Sequence, residues 1–231
     1  MFLGTSNARP PHWRRTVITQ TFMKSSAGTS LTSSLIITYG VLRIYLRHPL
    51  WFMLTTLVTL PGFKRSIVKD FSEKWVESAA VAAWMYIRLK NKIGGEKAFE
   101  VLRAVFLPTA LSVFGVNFRI VESPRTFENL IRFHEISLQG LFSNAKEKVI
   151  EQSNSRFEYK CTSCGYVELF KYLGVPELGP IFCSVDNIFY NSYLPNRVTF
   201  SRGGLSKTLA EGSPYCTFIY ENHAESKGDS E

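Results

Sequence analysis

Residues 157–170 read Phe-Glu-Tyr-Lys-Cys-Thr-Ser-Cys-Gly-Tyr-Val-Glu-Leu-Phe. The spacing of apolar residues changes within this stretch, and that change decides the fold of the chain. Phe157, Tyr159 and Cys161 alternate with polar residues, which is typical of a strand with one buried face. From Gly165 onward the apolar residues take a helical spacing instead. A strand that leads directly into a short helix predicts a compact unit of mixed α and β structure.

The sequence after this stretch predicts one more helix and two more strands. Residues 178–193 have a helical pattern, while residues 197–201 and 215–220 alternate as strands and are joined by a Gly-rich connection. We therefore predict a C-terminal α+β unit of antiparallel strands and short helices over residues 153–222. The polar residues 223–231 are predicted to form a tail.

The sequence before this unit predicts helices. Apolar residues recur at intervals of three or four from residue 66 to 93, and a second helical pattern covers residues 96–107, with Pro108 predicted to end or bend it. The predicted fold class is therefore α+β, with an N-terminal helical region, residues 34–152, packed with the C-terminal unit. Residues 1–33, rich in Ser, Thr, Pro and Arg, are predicted to be a mobile leader.

Residues 35–62 are rich in apolar side chains, but Arg43, Arg47 and Pro49 interrupt them. A spanning helix needs about 20 mostly apolar residues, so two short helices hinged at Pro49 fit this stretch better than one membrane span. The two helices would either pack on the rest of the domain or lie on a membrane surface as a peripheral contact. A true span is the third alternative.

The charge is uneven along the chain. The net charge is +8, yet residues 1–100 carry 14 Lys and Arg against 5 Asp and Glu, and the remainder carries 13 against 14. A basic front half indicates either an acidic partner, such as anionic lipid or nucleic acid, or a solvated basic surface. Because no zinc finger, aromatic RNA-binding strand or helix-turn-helix pattern is present, we predict that nucleic acid is not a partner.

The four cysteines, Cys161, Cys164, Cys183 and Cys216, all lie near the C-terminus, and no secretory signal precedes them. This indicates a reducing compartment, which predicts a cytoplasmic protein with free thiols. Cys161 and Cys164 have the spacing of metal ligands, but a structural zinc site needs a second close pair, which Cys183 and Cys216 do not form. We predict no metal and no cofactor, with zinc or an iron–sulfur cluster as the alternative.

The C-terminal unit carries an ordered series of short motifs. They are Leu-Gly-Val-Pro at 173–176, Cys-Ser-Val-Asp at 183–186, Thr-Leu-Ala-Glu-Gly at 208–212 and Cys-Thr-Phe at 216–218. In this order and at this spacing they resemble the L-2-amino-thiazoline-4-carboxylic acid hydrolase family. Two positions depart from the family pattern: Thr217 stands where an acidic residue is common, and Arg202 is followed by Gly203 and Gly204 instead of Thr.

The resemblance implies an enzyme that binds a small molecule and opens a cyclic amidine, or a related heterocycle, by adding water to the carbon of a C=N bond. Such a reaction needs an activated nucleophile, a proton donor for the leaving atom and a cation for the substrate carboxylate. Two other functions stay open, because one fold can carry several activities. They are a non-catalytic small-molecule-binding or membrane-associated adaptor module, and a biosynthetic cyclase or lyase on the same scaffold.

Three residues are predicted to be catalytic. Cys183 and Asp186 lie three positions apart on a predicted helix and therefore share a face, with Cys183 as a thiolate nucleophile and Asp186 as a general base or counter-ion. Cys164 begins the short helix, where the helix N-terminus would lower the pKa of its thiol. The structural alternatives are small buried hydrophobic residues for the cysteines and a solvated or capping carboxylate for Asp186.

Two further residues are predicted to bind the substrate. Arg202 is the candidate for the substrate carboxylate, because a guanidinium binds such a group through two hydrogen bonds. Cys216, in the last strand, is predicted either to contact the substrate or to pack in the core. Among the four histidines, His134 is a weak acid–base candidate, because it lies on a predicted helix.

Overall fold

In the described part of the chain, five helices come first and a four-stranded antiparallel sheet follows, with two more helices between its second and third strands, which confirms the predicted α+β class. Residues 1–30 of the predicted leader and residues 224–231 of the predicted tail lie outside the described residues. The computed structural model describes residues 31–68, 71, 73–117, 124–139, 147–203 and 208–223.

Seven helices occur in the described part of the chain. They are α1 (Leu31–Tyr45), α2 (Pro49–Ile67), α3 (Glu73–Ile93), α4 (Gly95–Asn117), α5 (Phe127–Gln139), α6 (Gly165–Tyr172) and α7 (Gly179–Tyr193). The hinge predicted at Pro49 is confirmed, since this proline occupies the first turn of α2, where no backbone donor is needed. Helix α4 continues through Pro108. We attribute this to its packing against α1, α3 and α7, which compensates for the lost hydrogen bond.

The sheet is formed by β1 (Glu147–Gln152), β2 (Arg156–Cys161), β3 (Val198–Ser201) and β4 (Cys216–Asn222), in the order β1-β2-β4-β3. Cys161 pairs with Cys216 across the two central strands, and Tyr159 pairs with Phe218. Strand β1 falls within residues 34–152, which were predicted to be helical. Among the described residues it pairs only with β2, and it exposes all its side chains except that of Glu147, so its sequence carries no alternating burial pattern.

Two buried clusters meet at helix α7. One fills the space between α1–α4 and α6 and includes Ile181 at the start of α7. The other is rich in aromatic residues and includes Phe189 and Tyr190, farther along α7, which pack with residues of the sheet. The middle of α7, which carries Cys183 and Asp186, is therefore held at the boundary between the helical region and the sheet.

Gly179, the first residue of α7, packs against the Thr-Leu-Ala-Glu-Gly motif. A Cβ added to Gly179 would lie 2.7 Å from Cβ of Ala210, so only glycine permits this contact. Ala210 belongs to a short 3₁₀ turn, in which the side chains of Thr208 and Glu211 form a capping box, and Gly212 ends the turn with a φ of 92°. These contacts set the turn beside α7.

Helices α1 and α2 carry an exposed apolar face, which we define as Ile36, Ile44, Leu50, Trp51, Leu54, Leu57 and Val58. Their other sides pack in the core through residues such as Leu42 and Phe52. Within the described residues, no helix is long and apolar enough to cross a membrane. Peripheral contact of residues 35–62 with a membrane stays a prediction.

Candidate functional site

A cavity of about 510 Å³ lies between the helical region and the sheet. All five residues that the sequence singled out for catalysis or substrate binding line it: Cys164, Cys183, Asp186, Arg202 and Cys216. They come from α6, α7 and the ends of β3 and β4, which the fold brings to one place. The structure therefore gathers the predicted residues around a single space.

Asp186 and Arg202 form an ion pair in the wall of this cavity. Nη2 of Arg202 donates a hydrogen bond of 2.9 Å to Oδ2 of Asp186. The guanidinium lies over the ring of Phe218, with 4.0 Å between Cζ and the ring centroid. Such stacking stabilises a desolvated cation by about 2 kcal/mol. Arg202 is therefore oriented by both its carboxylate partner and an aromatic face.

The ion pair still has capacity for a ligand. Nε and Nη1 of Arg202 are buried without a hydrogen-bond partner among the described residues. Burial raises the pKa of Asp186 above its ordinary value, while the charge and hydrogen bond of Arg202 oppose that shift. Since unpaired buried donors are unfavourable, Nε and Nη1 are suited to donate to an acceptor of a ligand, such as a carboxylate oxygen.

Cys164 lies at the N-terminus of α6, as predicted, but the expected lowering of its pKa is wrong. The backbone amides of Tyr166 and Val167 do act on the thiol in the expected direction. Burial outweighs them and raises the pKa of the Cys164 thiol to about 11. The loss of hydration on burial penalises the thiolate more than the backbone amides at the N-terminus of this short helix stabilise it.

The other thiols are also held in their neutral form. Burial, reinforced by the charge of Asp186, raises the pKa of Cys183 to about 12. Its Sγ lies 3.7 Å from Oγ1 of Thr208 in a hydrogen bond. Burial raises the pKa of Cys216 as well, although Sγ accepts a hydrogen bond of 3.2 Å from the backbone amide of Leu209. All four cysteines are free, so the cavity wall contains neutral thiols.

We expect these thiols to react slowly with iodoacetamide in the folded protein. A pKa of about 11 instead of 9.0 makes the thiolate fraction of Cys164 at pH 8 about 100-fold smaller than for an ordinary cysteine. Because the thiolate is the reacting form, alkylation of Cys164 and Cys183 should rise with pH up to at least pH 10. Mass spectrometry of peptides after timed alkylation measures this.

Protein unfolded in urea is the control for the alkylation experiment, because its thiols should react at ordinary rates. Rapid alkylation of either cysteine at pH 7 in folded protein would contradict the assignment of neutral thiols.

The structure adds a second pair of titratable groups that the sequence did not predict as a pair. His134 on α5 and Glu147 on β1 line the same cavity, and Nε2 of His134 lies 3.3 Å from Oε2 of Glu147. The imidazole stacks on Tyr159 with ring centroids 4.1 Å apart. His134 was a weak candidate in the sequence, and Glu147 carried no pattern that could have identified it.

The zinc or iron–sulfur site considered as an alternative for the cysteines would need a set of metal ligands close together. Among the described residues, no group of three or more His, Cys, Asp or Glu side chains could hold a metal ion. Cys161 donates from Sγ to the backbone carbonyl of Ser163 at 2.8 Å.

The comparison with known families extends the resemblance beyond the C-terminal motifs. The model of the family described as L-2-amino-thiazoline-4-carboxylic acid hydrolase matches residues 74–220, which include α3 from its second residue, α4, α5 and all of the sheet except the last two residues of β4. No curated protein and no solved structure is similar enough to this chain to give a match. Because the match covers well over half of the chain and includes every residue of the predicted site, the chain belongs to the L-2-amino-thiazoline-4-carboxylic acid hydrolase family.

Proposed function

We propose that the protein is a hydrolase that opens a small cyclic amidine or related heterocycle, of the L-2-amino-thiazoline-4-carboxylate type. The observation that carries this proposal is the ion pair of Arg202 and Asp186, whose side chains are 11% and 21% exposed, in the wall of a ligand-sized cavity. Such a substrate has a cationic amidine and an anionic carboxylate. Asp186 offers a partner for the cationic amidine and Arg202 a partner for the carboxylate. The chain that carries this pair belongs to the hydrolase family.

Asp186 is the proposed base of the reaction. Its carboxylate takes a proton from water as the water oxygen bonds to the amidine carbon, and the π electron pair of the C=N bond moves to the cationic nitrogen, so the carbon becomes tetrahedral. The ring bond from that carbon to sulfur or nitrogen then breaks as the new hydroxyl becomes a carbonyl and releases its proton to solvent. The leaving atom receives the proton held by Asp186. A carboxyl group whose pKa is raised by burial suits both steps, because it holds a proton more readily than an exposed carboxyl.

Arg202 is the proposed binding group for the substrate carboxylate. Its Nη2 is engaged by Asp186, whereas Nε and Nη1 have no partner among the described residues. Nε and Nη1 point to different edges of the guanidinium, so a carboxylate held by two hydrogen bonds would use one of them together with the second N–H of Nη2, beside Asp186. Such a pair of bonds fixes the plane of the carboxylate and thereby the position of the ring. The stack on Phe218 keeps the guanidinium in place as the substrate enters.

The neutral thiols favour direct attack by water over a preformed thiolate nucleophile. A nucleophilic role of Cys164 or Cys183 would first require a base to remove the thiol proton. Cys164→Ser and Cys183→Ser distinguish the two routes. Retained turnover in both variants supports water attack, and loss of turnover in one well-folded variant would assign a covalent step to that cysteine.

The other functions considered for this chain make different predictions. A non-catalytic adaptor predicts that Cys164, Cys183 and Asp186 are dispersed in the core and that residues 35–62 carry an exposed apolar patch. The place of the three side chains around one cavity supports an enzyme, whereas the exposed apolar face of α1 and α2 agrees with the adaptor. A cyclase or lyase on this scaffold would release a product without an added oxygen atom. The incorporation of ¹⁸O from labelled water into the product therefore separates hydrolysis from both reactions.

The proposal is tested by incubating the purified full-length protein with L-2-amino-thiazoline-4-carboxylate and following ring opening by mass spectrometry. We expect a product that is heavier than the substrate by one water molecule. Absence of this product with well-folded protein would discard the named substrate and with it this proposal.

Membrane contact is a second candidate property, and we propose that α1 and α2 rest on an anionic membrane surface. The exposed apolar face is accompanied by the exposed cations Arg43, Arg47 and Arg65. This combination of apolar and basic side chains suits the boundary between acyl chains and acidic head groups. Leu57 belongs to the exposed apolar face and also lines the cavity, so the membrane contact would adjoin the cavity.

Co-sedimentation with vesicles tests this contact. We expect binding to vesicles that contain phosphatidylserine, weaker binding to pure phosphatidylcholine, and release by salt. Trp51→Ser and Leu54→Ser should weaken binding, whereas Ile150→Ser, which changes a comparably exposed residue on β1, should not. Equal binding by all three variants would overturn the assignment of this surface.

A further inference from the structure

We propose that the natural ligand is an amphiphile: an anionic head group bound at Arg202 and an apolar tail lodged between helices α1–α4. This proposal names the class of substrate. It rests on the proposed function in one respect, the chemical identity of the head group. Its basis is the division of the cavity into two parts of different chemistry. One part carries the ion pair and the thiols, and the other is lined by the helical region.

The part between the helices, which we call the helical limb, is lined mainly by apolar side chains. It includes Phe52 and Met53 on α2, Met85 on α3, and Leu102, Val105 and Phe106 on α4. Thr38, Thr56 and Thr109 also line this part, but each hydroxyl donates its hydrogen bond to a backbone carbonyl of its own helix. No side chain of the limb carries a charge, so a charged group there would lose its hydration with little compensation, whereas an apolar chain would gain from leaving water.

The head-group part offers the opposite chemistry. Arg202 is buried, paired through Nη2 with Asp186, and has two donor nitrogens without partners among the described residues. Burial of a cation is favourable only when acceptors satisfy its donors. An anionic head group such as a carboxylate meets this need, and it would point the attached chain away from the polar wall and into the helical limb.

The size of the cavity admits more than a head group. Its volume of about 510 Å³ falls within the range of roughly 300–1,000 Å³ that is typical of pockets for small-molecule ligands. Arg202 and the side chains of the helical limb line this same cavity, so one ligand can contact both.

Binding of a homologous series of alkyl carboxylates tests the inference without any catalytic step. Isothermal titration of the full-length protein with butanoate, hexanoate, octanoate and decanoate should show affinity that rises about fourfold per added methylene group, until the helical limb is filled. Affinity that is independent of chain length would overturn the inference.

Two alanines on α4 give a matched pair of variants. Ala110 lines the cavity and Ala104 does not, so Ala110→Phe fills the helical limb while Ala104→Phe adds the same volume elsewhere on the helix. We expect Ala110→Phe to abolish the gain from the longer chains and Ala104→Phe to keep it, with intact folding checked by circular dichroism. Equal chain-length dependence in both folded variants would contradict a tail in the helical limb.

The result is separable from that of the proposed function. Chain-length dependence without turnover of L-2-amino-thiazoline-4-carboxylate would leave the amphiphile site standing and discard the hydrolase. Turnover without chain-length dependence would support the hydrolase with a compact substrate and overturn this inference. If Ala110→Phe fails to fold, Met85→Trp narrows the same limb from α3. The chain-length dependence of its binding is then compared with that of Ala104→Phe.

Discussion

Asp186→Asn should lower kcat/KM for L-2-amino-thiazoline-4-carboxylate by about 100-fold to 10,000-fold, the range expected when a general base is lost. Asparagine keeps the shape of the side chain and can still accept a hydrogen bond from Nη2 of Arg202. It cannot take a proton from water, and it cannot neutralise a cationic amidine. The effect should therefore fall mainly on kcat, as measured by steady-state kinetics of the purified variant.

Glu177→Gln is the matched control for this change. Glu177 accepts hydrogen bonds from Lys90 and from the hydroxyl of Tyr86, and it does not line the cavity. Its amide variant removes a charge from another ion pair and should leave kcat/KM within about twofold of the wild-type value. A folded Asp186→Asn protein with wild-type turnover would exclude Asp186 as the base.

Arg202→Met should lower the free energy of unfolding by about 3 kcal/mol, the lower end of the range for a buried pair, because it leaves the carboxylate of Asp186, whose side chain is 21% exposed, without its cation. The double variant Asp186→Leu with Arg202→Met should recover much of this loss, since two apolar side chains of similar size carry no desolvated charge. Chemical denaturation with urea, followed by tryptophan fluorescence, measures both values.

The pH dependence of the Arg202→Met variant follows from the same contact. Arg202 opposes the rise in the pKa of Asp186 that burial causes, so its removal raises this pKa further. A carboxyl with a higher pKa in the folded protein than in the unfolded chain destabilises the fold at high pH, where it must ionise. The penalty is absent below the unfolded pKa. We therefore expect the loss of stability to be larger at pH 8 than at pH 4.

An exposed ion pair provides the control for the stability measurement. Lys64 and Glu77 also form a close contact, but Glu77 is largely exposed. Lys64→Met should cost no more than about 1 kcal/mol, because solvent screens such a pair. A loss in Arg202→Met as small as the loss in Lys64→Met would contradict the view that the Asp186–Arg202 pair is desolvated.

Much of the site could be predicted from the sequence, because helical spacing and strand alternation depend on neighbouring residues. Cys183 and Asp186 share a helix face at a spacing of three residues, and the ordered motifs of the C-terminal unit identify the family. His134 and Glu147 could not be paired in the same way. They lie on different elements, α5 and β1, and β1 has no burial pattern that marks it as a strand.

By itself, the sequence determined the α+β class, the helix hinge at Pro49, the succession of strands and helices after residue 156, and family membership. These features follow from local backbone preference and from the order of short motifs. The tertiary structure alone decided the protonation of the thiols, because burial depends on every element packed around Cys164 and Cys183. It also decided the partner of Arg202 and the division of the cavity into polar and apolar parts. Charge pairing and enclosed volume arise only when residues distant in sequence are brought into contact.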